Sequence, residues 1–87
     1  MNEKDFVALI KTTVAKYANK HLDKTDHKQI TKDDVFIVWM CKTLKNSKAM
    51  ASTTLFDGMY YELTFNGNTN ELYVDAYKKW ENFAVKV

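Results

Sequence analysis

The sequence predicts a small α+β domain, in which one amphipathic helix packs on a four-stranded antiparallel meander. Three observations carry this reading. Apolar residues recur at helical spacing over the first 22 residues, alternate with period two over residues 59–66 and 71–77, and are separated there by Asp57-Gly58 and Gly67-Asn68. At 87 residues there is material for one core, so residues 1–87 are read as a single domain.

Asn2 is placed to cap a helix over residues 3–22 with Asp5 in its first turn, and Phe6, Ile10, Val14, Tyr17 and His21 form its apolar stripe. Lys4, Lys11, Lys16 and Lys20 fall on the wetter side. The segment DKTDHKQITKDD that follows is polar, breaks both periodicities and reads as a surface loop. Residues 35–44, VFIVWMCKTL, are β-branched and aromatic on both alternating faces, as expected of a central strand. Thr31 with Asp34 offers an alternative, a cap for a second helix, but Val35, Phe36, Ile37 and Val38 in succession favour a strand.

KNSK reads as a turn into a strand over residues 48–56, whose small and hydroxyl side chains suit a place beneath a helix or at a sheet edge. Asp57-Gly58 is a hairpin signal. In the third strand Met59, Tyr61, Leu63 and Phe65 should face the core, and in the fourth Leu72, Val74 and Ala76 should join them. Gly58 and Gly67 are each expected to supply a positive φ. The tail KKWENFAVKV fits a short helical turn through Tyr77, Trp80 and Ala84, or a strand through Phe83, Val85 and Val87; the helical turn is preferred.

The single cysteine, Cys41, cannot form an internal disulfide, no apolar run is long enough to span a membrane, and the start MNEKDF lacks a signal pattern. A cytoplasmic protein is expected, with Cys41 a small buried hydrophobe and Trp39 and Trp80 core or interface residues. All thirteen basic residues are lysine, and without arginine the bidentate contacts that read nucleic acid are missing. Residues 1–32 hold seven lysines against four acids, so a basic face, if used, belongs to the first third.

His21, Asp23, Asp26 and His27 gather metal-binding side chains in one stretch, but their spacing matches no established site, and a solvated loop with a helix-end histidine is expected instead. No cofactor motif is present and no catalytic residue is assigned, because no phosphate-binding glycine loop, cysteine pair or serine-centred elbow occurs. A hairpin about Gly67 places Tyr60 near Tyr77, Glu62 near Asp75 and Thr64 near Tyr73 on the outer face. Like charges opposite one another call for a lysine between them, Lys42 or Lys48. Exposed tyrosines suit protein recognition, so Tyr60, Glu62, Tyr73, Asp75 and Tyr77 are the expected protein-binding residues. The second reading is a nucleic-acid binder using Lys11, Lys16, Lys20 and Lys24; the third is a homodimer built on the open sheet.

The strings DDVFIVWMCKTL, KAMASTT, DGMYYELTFN and ELYVDAYKKWEN resemble a family of short proteins of unknown function encoded by phages and prophages of low-GC Gram-positive bacteria. That resemblance implies a non-enzymatic accessory protein that binds a host or phage protein, a group that includes inhibitors of bacterial defence such as anti-CRISPR proteins. It carries no site residue with it.

Overall fold

The computed structural model describes residues 1–22 and 29–87. Helix α1 spans Glu3–Lys20, a 3-10 turn spans Lys32–Asp34, and strands β1 (Val35–Thr43), β2 (Asn46–Thr53), β3 (Met59–Asn66) and β4 (Glu71–Lys78) form one antiparallel sheet in the order β1-β2-β3-β4. The α+β meander predicted from the periodicities is therefore the fold. Among the described residues no helix is long and apolar enough to cross a membrane.

Asn2 caps α1 by accepting a hydrogen bond from the Asp5 amide at 2.8 Å. Phe6, Ile10, Val14, Ala15 and Ala18 are its buried residues. The helix ends two residues earlier than its stripe suggests, with His21 as the C-cap, its amide donating to the Ala18 carbonyl at 3.1 Å. Thr31 and Asp34 do form a capping box, but it caps only one 3-10 turn before the β-branched run extends into β1.

Two small residues of β2 decide where α1 sits. Ala49 and Ala51 of β2 are fully buried, and α1 lies across β1 and β2, where the missing side-chain bulk lets helix and sheet approach. Tyr61, Leu63 and Phe65 of β3 complete the core, with Val35 and Ile30. The Tyr17 ring meets Tyr61 edge-on, with centroids 5.6 Å apart.

Several expectations are corrected here. β1 is an edge strand, not a central one; its second apolar face is simply left open. The β1–β2 turn is Leu44 and Lys45, with Leu44 at φ 56°, so β2 begins inside the KNSK segment. Residues 54–58 form a longer connection than a two-residue hairpin turn, with Gly58 at φ +69° inside it. Gly67 has no positive φ; Asn70 takes that role at φ 57°. Gly67 is needed for a different reason, because a Cβ there would run into the Lys45 carbonyl oxygen where the two turns abut. Val74 and Ala76 do point to the inner face but are exposed, since α1 packs chiefly on β1 and β2. Residues 79–87 form neither the helical turn nor a strand, and Trp80 and Phe83 stand exposed.

Candidate functional site

The sheet face turned away from α1 is built from three rows that cross all four strands. Phe36, Ser52, Tyr60 and Tyr77 make the first, Trp39, Met50, Glu62 and Asp75 the second, and Cys41, Lys48, Thr64 and Tyr73 the third. The pairs read from sequence, Tyr60 with Tyr77, Glu62 with Asp75 and Thr64 with Tyr73, are the observed ones.

What sequence reasoning missed is the β1 contribution. The register slips between Ile37 and Trp39, where Val38 is an extra residue without a β2 partner. Strict alternation would send Trp39 inward with Ile37; the bulge reverses the parity, so Trp39 shares the outer face with Phe36, and Met40 takes the inner place opposite Ala49. The same reversal turns Cys41 outward and exposes it, against the expectation of a buried thiol. Phe36 is 48% and Trp39 41% exposed, matching Tyr73 at 47% and Tyr77 at 51% on the opposite edge. Large aromatics thus stand at both margins of an otherwise uncovered sheet face.

The centre of the face is charged. Lys48 Nζ lies 3.3 Å from Glu62 Oε1, and Glu62 in turn stands opposite Asp75. Lys48 thus neutralises Glu62 from the β2 side, opposite to Asp75, rather than lying between the two acids as expected. Lys42 serves elsewhere: it lies in the inward parity of β1, and its Nζ donates to the Met1 carbonyl at 3.2 Å. Lys79 holds its ammonium 5.7 Å from the Tyr60 ring centroid, a cation–π distance, and the Tyr73 hydroxyl donates to Glu71 Oε1 at 3.3 Å. The Ser52 hydroxyl is turned to the backbone, donating to the Met59 carbonyl at 2.8 Å. Tyr60 and Glu62 are half-buried, so the five residues expected from sequence form one continuous band in which Tyr73, Asp75 and Tyr77 are the accessible part.

The lysines of the second reading are less well gathered. At 3.6 residues per turn, Lys11 and Lys16 are separated by roughly 140° around the helix, so Lys16 and Lys20 share one flank while Lys11 lies on the other. Lys24 lies outside the described residues, as do Asp23, Asp26 and His27 of the metal-like cluster. His21 is stacked on Tyr17, with centroids 4.2 Å apart, and its Nδ1 lies 3.3 Å from the Tyr17 carbonyl. Among the described residues no three metal-ligating side chains converge.

A second concavity lies between the end of α1 and the β2–β3 connection, lined by Tyr17, His21, Asp57, Met59, Tyr61 and Lys78. Burial pushes the Tyr61 hydroxyl above the ordinary tyrosine range, with the nearby Asp57 charge and Tyr17 adding to the effect.

Fold and face together define a small α+β domain with a helix over one half of a meander and an aromatic-bordered sheet face left open. The chain belongs to the family described as "Family of unknown function (DUF6275)", which it matches over residues 7–87. Neither the comparison with curated proteins nor that with solved structures finds a match.

Proposed function

We propose that this protein is a non-enzymatic accessory protein of a phage or prophage, and that it acts in the host cytoplasm by binding another protein through the outer sheet face. The observation that carries the reading is the three-row face, where Phe36, Trp39, Tyr73 and Tyr77 are exposed around a Lys48–Glu62 centre. Aromatic side chains at the margins supply large contact area for little lost entropy, and central charges set orientation and specificity. The phage setting rests on the resemblance of the four strings quoted above. Within it, an inhibitor that occludes a component of a host defence system is the role that such a face serves without any chemistry of its own.

The test is capture of a partner on the immobilised chain, followed by variants. Tyr73→Ala with Tyr77→Ala is expected to lose at least tenfold in affinity, as is Trp39→Ala on the opposite edge, while Lys16→Ala with Lys20→Ala retains the partner. Retention in all outer-face variants with intact circular dichroism would assign binding to another surface. Loss in the helix-lysine variant alone, with steep salt dependence, would assign it to nucleic acid.

A further inference from the structure

We infer that the free edge of β4 is a self-association site, at which a second copy of this chain adds its own β4 antiparallel about a two-fold axis to give one eight-stranded sheet. The inference does not depend on the outer-face reading.

The two edges of the sheet are built differently. β1 is bulged between Ile37 and Trp39 and carries Lys42 within its inward face, both devices that spoil edge-to-edge pairing. β4 pairs with β3 through eight consecutive residues without irregularity, and among the described residues no strand lies beyond it. Its inward residues are Leu72, Val74 and Ala76, uncharged along the middle of the strand, followed by Lys78 at its last position. α1 packs on β1 and β2, so Val74 and Ala76 are exposed at the β4 margin of the face that carries the core. A long, regular, apolar edge without protection is a template for another strand.

The charges of β4, together with the length of strand overlapped, select the register. Pairing about a two-fold perpendicular to the sheet keeps inward residues opposite inward ones. Centred on Tyr73, it would set Asp75 against Glu71; centred on Asp75, it would set that carboxylate against itself. Centred on Val74, it sets Val74 against Val74, Leu72 against Ala76, Tyr73 against Asp75 and Glu71 against Tyr77. Each acid of β4 then faces a tyrosine of the second copy, and no like charges meet. β4 is in this sense complementary to itself.

Sedimentation velocity of the full chain at several concentrations is expected to show a monomer–dimer equilibrium, and Val74→Lys, which sets two ammonium groups on the axis, is expected to leave only monomer with unchanged circular dichroism. A second measurement reads the register and stands even if that variant folds poorly. In a Cys41→Ser background, Val74→Cys brings two Cβ atoms to roughly 4.5–5.5 Å across the axis, so mild oxidation is expected to give a covalent dimer. Ala76→Cys, which faces Leu72, is expected to give far less. A chain monomeric at every concentration, a dimer that survives Val74→Lys, or cross-linking stronger at position 76 would overturn the inference. So would a dimer lost on Phe83→Ser with Val85→Ser while Val74→Cys fails to cross-link, which would assign the contact to the C-terminal tail.

Discussion

Lys48 Nζ stands 3.3 Å from Glu62 Oε1, and Glu62 is the strand-to-strand neighbour of Asp75, so the ammonium holds one of two adjacent carboxylates at the middle of the outer face. Lys48→Met is expected to destabilise the fold by about 0.5–1 kcal/mol at low salt, because the surviving acids repel while remaining wet enough for solvent to screen them. Urea unfolding at low and high ionic strength checks this: the loss should shrink in salt, and Glu62→Gln in the same chain should restore most of it.

Asn19 clasps the backbone of Ile30, its Nδ2 donating to the Ile30 carbonyl and its Oδ1 accepting from the Ile30 amide, each at 2.8 Å. This ties the buried Ile30 side chain to the last turn of α1. Asn19→Ala is expected to cost about 2–3 kcal/mol, since two partly buried backbone groups lose their partners at once. Hydrogen exchange should show the Ile30 amide losing protection before those of β3.

Ala49 and Ala51 are the floor on which α1 rests. Ala51→Leu is expected to cost about 1–3 kcal/mol by lifting the helix, and thermal unfolding should show a lowered midpoint. Ala76→Leu at the exposed inner position of β4 should change stability far less.

The two glycines should respond in the order opposite to their φ values. Gly58→Ala meets only Lys79, its Cβ at 3.8 Å and its amide nitrogen at 4.0 Å, and should cost about 1–2 kcal/mol for its left-handed backbone. Gly67→Ala should cost more, because the β1–β2 turn has to move away from the new methyl group. Parallel urea titrations of the two variants decide the order.

Tyr61 titrates late in the folded chain, chiefly because its ring is buried, so the folded state resists releasing that proton. A folded-state value raised above the unfolded one gives a contribution that is complete below about pH 10 and is lost as pH rises through the folded value. Stability should therefore decline above about pH 10. Tyr61→Phe should flatten that decline, and phenolate absorbance should show one of the five tyrosines ionising only as the fold opens.

Much of this was legible because local signals agreed with the final packing. Tyr61, Leu63 and Phe65 alternate strictly, so β3 had one possible core face, and the turn around Gly67 then placed Tyr77, Asp75 and Tyr73 without further information. β1 resisted because Phe36 through Cys41 are apolar or aromatic without interruption, and a bulge in such a run leaves no mark in the alternation. Cys41 is consequently exposed rather than buried, and the side taken by Trp39 could not be read from the run. The position of α1 depends on where helix and sheet approach closest, a tertiary property that Ala49 and Ala51 signalled only as small residues. That is also why the exposure of Val74 and Ala76 could not be read from a pattern that matches a core strand. The C-terminal residues offered two periodicities at once, and the chain adopts neither.

The extra residue at Val38 also bears on how far assembly can proceed. A sheet with two receptive borders can grow without end, copy after copy, into a fibre. Here one border is kinked and the other straight, so if two straight borders meet as inferred, the kinked ones left outside would offer no matching template and growth would halt at a closed pair.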